Sequence, residues 1–223
     1  MIRLNDIKVE VKNRTILDIP ELELAKGKRY GVIGENGSGK TTLLRIIAGT
    51  LISNDGQLKG LPSKSEMGYL PQSPYAFSLS VFENVKMAIP IEDSEQIAKT
   101  ALEKVGMGAL LKSRGNRLSG GERQRMGLAR VLALPRSLLI LDEPSSATDI
   151  RGTNLIEALL LDWHRESQGT LIFSTHSPAQ VVRLADEVLF MDKGRVIERG
   201  SPREIFKKPI NEETKLFIRH IQV

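Results

Sequence analysis

The chain of 223 residues contains no cysteine. That absence excludes disulfides, thiolate metal sites and a cysteine nucleophile, and it fits a reducing compartment. Long apolar runs are missing as well: VLAL at 131–134 and LLIL at 138–141 fall far short of the roughly 20 residues that a membrane-spanning helix needs. Contact with a bilayer therefore calls for a partner. The amino terminus, MIRLNDIKVEVK, alternates apolar and polar residues and has no charged start followed by an apolar block, so it reads as a strand and not as a secretory signal. Cytoplasm is the expected compartment. No low-complexity stretch, like-charge block, internal repeat or flexible linker interrupts the chain, and its 40 % apolar and 26 % charged residues are an ordinary globular mix. The length suits one well-buried domain, with no room after about residue 222 for a regulatory one. The net charge of +5 permits contact with nucleic acid or a membrane surface, but the basic residues are scattered among acids and no reader motif is present. No direct nucleic-acid binding is expected.

What is present has a definite rhythm. Ile2, Leu4, Ile7, Val9 and Val11 follow a broken period of two, resumed by Leu22 and Leu24 before Lys26-Gly27, which predicts opening antiparallel strands. Tyr30 to Ile33 is a short apolar strand running into a glycine loop, and helix formers from Thr42 to Ala48 continue until Gly49. Asn54-Asp55-Gly56 signals a turn. A strand is expected near Met67 to Leu70, then a helix-rich interval from about 80 to 133. Within it, Ser80 with Glu83 and Ser119 with Glu122 have the Ser-x-x-Glu spacing of a capping box, in which each side chain satisfies a free N–H at a helix start. Ile97, Ala101, Leu102 and Val105 share one helix face ended by Gly106. Leu138 to Leu141 and Leu171 to Phe173, separated by a helix around Asn154 to Glu166, have the rhythm of buried parallel strands with crossovers. Val188 to Met191 and Arg195 to Ile197 predict a hairpin, and one helix from about Pro202 is expected to close the chain.

The strongest chemical signal is Gly34-Glu35-Asn36-Gly37-Ser38-Gly39-Lys40-Thr41-Thr42, a P-loop placed after a strand and opening a helix. Backbone N–H groups and the helix start attract phosphate; Lys40 reaches the β and γ phosphates, and the Thr41 hydroxyl ligates Mg²⁺. A glycine turn that merely caps a helix explains the glycines but not the Lys-Thr pair. Leu138 to Leu141 deliver Asp142 and Glu143 at a strand's carboxyl end, where open α/β sheets place ligands. Asp142 suits the Mg²⁺ shell. Glu143 suits a base for water, held extended by Pro144 because a residue before proline avoids the helical region; the bland alternative is a solvated acidic loop. His176 and Gln72 each follow a strand, and each by itself also fits a structural or loop role. The second glycine pair, in Ser119-Gly120-Gly121-Glu122, makes either a simple cap or a second anion site at a helix start. Local residues leave both open.

Taken together, GENGSGKT, Gln72, LSGGERQR, LLILDEP, SSATD at 145–149 and His176 resemble, in order and over nearly the whole chain, the motif set of the ABC (ATP-binding cassette) ATPases. The resemblance implies an α/β fold: a P-loop NTPase (RecA-like) core with an antiparallel β subdomain and an inserted helical subdomain at about 73–133, in a single domain over 1–223. It implies ATP and Mg²⁺. Phosphate binding falls to Asn36, Gly37, Ser38, Gly39, Lys40, Thr41 and Thr42, and metal binding to Thr41, Gln72 and Asp142. Catalysis falls to Glu143, His176 at the γ phosphate, Lys40 and Gln72. Ser119, Gly120, Gly121 and Glu122 would close over ATP held by a second copy in a head-to-tail pair, with Asp149 in the loop joining the two sites. By the same resemblance the partners are transmembrane permease subunits, docking near Gln72, Tyr75, Phe77 and Phe82, with room for a substrate-binding protein. Ordinary core packing is the other reading of those aromatics. The chain would then lie on the cytoplasmic face of the membrane through its partners, coupling ATP-driven closure and hydrolysis to translocation. The alternative is a soluble single-cassette ATPase serving a macromolecular assembly, such as iron–sulfur cluster building, or a cell-division membrane complex. Three residues depart from the pattern: Val11 where an aromatic stacks on adenine, which relaxes the choice between ATP and GTP; Thr148 where leucine is usual; and Glu122 for glutamine. Substrate and direction of transport belong to the membrane partners.

Overall fold

The computed structural model describes residues 1–90 and 92–221; the expected boundary at 223 lies outside them. Two opening strands, β1 (Ile2–Val11) and β2 (Arg14–Leu24), pair antiparallel. The break in their period of two falls at Asp6, whose φ of 52° lets Leu4 and Ile7, three positions apart, both be buried. On the other side of β1 lies β4 (Asp55–Lys59), also antiparallel. Here the structure corrects the expected turn at Asn54-Asp55-Gly56. Gly56 has a φ of 91°, and a Cβ there would sit 2.4 Å from the Asp6 carbonyl oxygen, so this glycine serves a close approach to the β1 kink.

A second sheet has the order β5-β6-β7-β3-β8-β9. Its members are β3 (Arg29–Ile33), β5 (Met67–Leu70), β6 (Leu138–Asp142), β7 (Thr170–Ser174), β8 (Glu187–Asp192) and β9 (Arg195–Gly200). All pairs are parallel except β8 with β9, the predicted hairpin. The runs without polar alternation are explained by burial on both faces. Leu139 and Leu141 of β6 face one core, with Leu171 and Phe173 of β7 and Val188 and Phe190 of β8. Leu138 and Ile140, with Ile172 and Leu189, face the other. That second core is closed by the antiparallel sheet and by α1 (Lys40–Ile47), which contributes Leu43, Leu44, Ile46 and Ile47.

The first core is closed by helices: α2 (Val81–Lys86), α3 (Ser94–Lys104), α4 (Gly120–Leu132), α5 (Ile150–Ser167) and α6 (Pro178–Leu184). At α4 the capping box is complete, whereas at α2 the Ser80 hydroxyl oxygen accepts the Glu83 N–H at 3.0 Å. The end of the chain differs from expectation. In place of one helix there are two, α7 (Pro202–Lys207) and α8 (Glu212–Ile221). Pro209 lies between them, and the Glu198 carboxylate accepts the Ile210 and Asn211 N–H groups at 2.8 and 3.0 Å. Among the described residues no helix is long and apolar enough to cross a membrane.

Phe173 is fully buried at the centre of the parallel sheet. Phe173→Ala should lower unfolding free energy by about 3–5 kcal/mol through lost burial and the cavity left behind, a loss that urea denaturation followed by circular dichroism will read.

Candidate active site

Parallel strands that start together also end together, and here four of them deliver the expected site. Leu70 of β5 is level with Leu141 of β6, and Asp142 and Val32 are each level with Ser174 of β7. The residues that follow those ends are Gly34, Gln72, Glu143 and His176. A cavity of about 360 Å³ opens there, lined by Asn36, Gly37, Gly39, Lys40, Thr41 and Thr42 of the loop, by Gln72 and Glu143, and by Arg14 and Ile16 of β2. Ser38 lines an adjoining cavity with the same two β2 residues.

The loop is built by its glycines. A Cβ on Gly34 (φ 146°) would come within 2.1 Å of the Met191 carbonyl oxygen, so the backbone of β8 leaves no side chain possible there. Lys40 is buried, and its ammonium donates to the carbonyl oxygens of Gly34 and Glu35, both at 2.8 Å. Burial pushes its pKa below the usual lysine value, while Glu143 and Asp142 pull it partly back. The loop thus satisfies the lysine with its own carbonyls, groups that a phosphate oxygen can replace as stronger acceptors.

Asp142 is 1 % exposed. One carboxylate oxygen accepts the Ser174 hydroxyl at 2.6 Å, and the other, Oδ2, is buried without a partner. An orphaned anionic oxygen at a phosphate site is what a cation would satisfy. No three His, Cys, Asp or Glu residues converge as a metal cage among the described residues, a donor set that suits Mg²⁺ held largely by phosphates and water. Glu143 bridges two neighbours: Oε1 lies 2.7 Å from His176 Nε2, and Oε2 accepts from Gln72 Nε2 at 3.1 Å. Its backbone is the main correction to the sequence reading. Glu143 is not extended but has a φ of 49°, in the left-handed region that costs a non-glycine residue roughly 1–2 kcal/mol. Proline at 144 disfavours the right-handed helical region; the Glu143 N–H donates to Ser174, and Gln124 and Ser146 donate to its carbonyl, which holds what remains. Nothing in the residue types of Ser174, Gln124 or Arg14 marked them in advance; each matters through its place.

Other expected residues lie apart from the cavity. Ser119, Gly120, Gly121 and Glu122 line neither nucleotide-sized space. Glu122 is turned back on its own helix start, accepting the Ser119 N–H and hydroxyl at 2.8 Å each, and these bonds, the backbone one first, hold its pKa below the usual carboxylate value. The glycine pair has a packing reason: a Cβ would stand 3.2 Å from Ala147 Cβ at Gly120 and 2.8 Å from the Ala147 carbonyl oxygen at Gly121. Asp149 caps α5 through the Gly152 N–H at 2.7 Å, and the Thr148 hydroxyl donates to the Ser145 carbonyl at 2.8 Å. Val11, expected beside a base, is 54 % exposed at the end of β1 and does not line the cavity. The next strand of the hairpin supplies the lining residues from this part of the chain, Arg14 and Ile16.

Known proteins can now be set beside this geometry. The family model described as ABC transporter matches residues 17–146. The tungstate uptake system ATP-binding protein of Peptoclostridium acidaminophilum is 35 % identical over 207 residues, covering 88 % of this chain and 97 % of its own length. The sulfate/thiosulfate import ATP-binding protein of Rhodopseudomonas palustris is 34 % identical, covering 97 % of this chain and 68 % of the relative. The phosphate import ATP-binding protein of Mycoplasmoides gallisepticum is 35 % identical, covering 88 % and 68 %. Among solved structures, a dimeric ATP-binding cassette bound to ADP and Pi superposes with a TM-score of 0.82 at 22 % identity, over 91 % of this chain and 99 % of the other. An inward-facing ABC transporter of metal-chelate type superposes at 0.79 and 29 % identity, over 98 % and 88 %.

The lowered pKa of Lys40 has a measurable consequence with a definite sign. Without phosphate the ammonium loses its proton below the usual lysine value of 10.5, whereas bound phosphate holds that proton, so binding is coupled to proton uptake and weakens as pH rises through the interval between. Below that interval Lys40 is charged in both states and contributes no slope. Calorimetry of inorganic triphosphate binding, with the pH stepped up toward the usual lysine value and in two buffers of different ionisation enthalpy, should show proton uptake that Lys40→Ala abolishes.

Proposed function

From the premise that the chain belongs to the ABC transporter family, as the match over more than half its length shows, and is an ATP-binding, ATP-hydrolysing transport subunit, we propose that two copies close head to tail over two ATP molecules and drive import through separate transmembrane subunits. The observation that carries this reading is the disposition of the two glycine turns. The P-loop cavity holds Lys40, Gln72 and Glu143, while the Ser119 turn opens outside it, where a second copy can use it. We read residues 1–223 as one domain with the helical part at about 73–133.

The chemistry follows from the positions. Lys40 gives up its loop carbonyls for the β and γ phosphates, and backbone N–H groups from Gly37 to Thr41 cradle them. Thr41, Gln72 and Asp142, through its free Oδ2, would hold Mg²⁺, which supplies charge neutralisation between the phosphates. Glu143, aligned by Gln72 and His176, takes a proton from water as the water oxygen attacks the γ phosphorus. The bond from that phosphorus to the bridging oxygen breaks, leaving ADP and Pi, and His176 donates toward the γ phosphate. Ser119, Gly120, Gly121 and Glu122 form the second copy's half of the site, Glu122 by fixing the turn. Binding across both halves favours the closed pair and hydrolysis removes that preference.

Tyr75 is 69 % exposed and packs edge-on against the half-exposed Phe77 at 4.7 Å. These two, with exposed Leu79, form the proposed docking surface for a permease just after Gln72; Phe82 packs against the core instead. Import and a tetrahedral oxyanion as substrate class are carried by the relatives named for tungstate, sulfate and phosphate, and a substrate-binding protein and a cytoplasmic-face location accompany that reading. The assembly-ATPase alternative has no support from those relatives.

Glu143→Gln should bind ATP, lose about a hundredfold or more of turnover, and accumulate as a dimer on gel filtration; turnover at the parental rate would remove Glu143 from the base role. With Arg14 and Ile16 in place of an aromatic, GTP should compete with ATP within about tenfold in equilibrium binding, and a preference of several orders of magnitude for ATP would contradict it. Affinity capture of the tagged chain from gently solubilised cells should bring down stoichiometric multi-span partners. Recovery with soluble proteins alone would move the reading to an assembly ATPase.

A further inference from the structure

We propose that Gln124 is a positioning residue for Glu143 and that one face of α4 sets the contact between Glu143 and Gln72. The strained Glu143 backbone is held at both ends of its residue. Its N–H donates to Ser174 Oγ at 2.9 Å, and its carbonyl accepts from the Ser146 N–H and hydroxyl, both at 3.2 Å, and from Gln124 Nε2 at 3.2 Å. Ser146 is a near neighbour in the chain and moves with the turn it stabilises. Gln124 is different: it is 1 % exposed and lies on α4, 19 positions away, so it fixes the turn relative to another element. A left-handed non-glycine residue persists only where its surroundings over-determine it.

Three residues further along the same face of α4 is Gly127. A Cβ there would stand 2.7 Å from Leu70 Cδ1 and 2.8 Å from Pro74 Cβ, the residues two before and two after Gln72. The helix therefore touches the backbone of Glu143 at one position and the segment carrying Gln72 at the next turn. Those two side chains meet at 3.1 Å. Because α4 begins at the Ser119 turn, a shift of that turn on engaging a second copy is passed to the Glu143–Gln72 pair through a rigid helix. This inference deepens the ATPase reading and rests on it for its turnover measurement.

Two variants and two readouts decide it. Gln124→Met keeps the length and apolar bulk but removes the donor; Gln124→Asn keeps the amide but shortens its reach, and serves alone should the methionine variant not fold. In hydrogen exchange by mass spectrometry, either should speed the Glu143 and Ser146 amides by about tenfold or more, with β7 unchanged. Steady-state turnover should fall about ten- to a hundredfold while ATP affinity stays within about twofold. In a Gln72→Ala background the further loss should shrink below about threefold, since both changes act on one contact. Unchanged exchange at 143 and 146, undiminished turnover, or faster exchange spread over the whole molecule with a lowered Tm would each overturn the proposal. Absence of ATP turnover in the unsubstituted chain would sink the ATPase reading instead, and the exchange result would still decide the role of Gln124.

Discussion

A carboxylate that is to take a proton from water beside a triphosphate must be held still against strong like-charge repulsion, and the placement of Glu143, the proposed base, meets that constraint. Its two oxygens are aligned by Gln72 and His176, and its backbone is bent into a conformation that a free chain disfavours. Few single positions gather so many parts of the molecule. The strand β6 delivers it, β7 supplies Ser174 beneath it, β5 leads to Gln72, and α4 supplies Gln124. Ser174 is shared, accepting the Glu143 N–H and donating to Asp142, so the proposed metal ligand and the proposed base are positioned by one hydroxyl. Buried polar networks of this kind are rigid when every member is satisfied; the oxygen left over, Asp142 Oδ2, is the atom proposed to meet Mg²⁺.

The two cores explain why the platform can bear this strain. Strands with both faces apolar are fixed in register, because a slip by one residue would exchange their two sets of side chains between cores of different shape. The sheet edge that carries the loops is therefore rigid while the loops themselves remain open to solvent on one side, with cavities of about 360 Å³ for a ligand. The helices on the opposite face from the antiparallel sheet carry the Ser119 turn, and the exposed Tyr75 and Phe77 lie in the segment that leads into α2. Second copy and membrane partner are thus proposed to meet elements on the side of one core, and the nucleotide a loop at the strand ends between the two cores.

Much of this was legible in residue order. The P-loop and the DEP run are local motifs whose chemistry depends on a strand end and a helix start, and the apolar runs announce both. The hairpin at Asp192 to Gly194 and the Ser119 capping box were equally local. The misses have physical causes. Asn54-Asp55-Gly56 looked like a turn because glycine with a positive φ is usual in turns, yet here it lets one strand approach another. The final helix split because a distant carboxylate, Glu198, satisfies the N–H groups between its parts. Glu143 was expected to be extended from its neighbour Pro144 alone, whereas partners 31 and 19 positions away hold it in the left-handed region.

What the sequence by itself determined is therefore the class of chemistry and the order of the elements that carry it, because a phosphate loop, a strand-end carboxylate pair and a capped glycine turn are each written in consecutive residues. Tertiary structure decided which groups act together. Val11 stood where a base was expected, but the paired strand supplies Arg14 and Ile16 to the cavity lining. Gln124 is one polar residue among several on a helix until that helix packs against β5 and brings it to the residue that follows β6. Contacts of this kind depend on how separate elements close on a shared core, and no local pattern of side chains encodes that geometry.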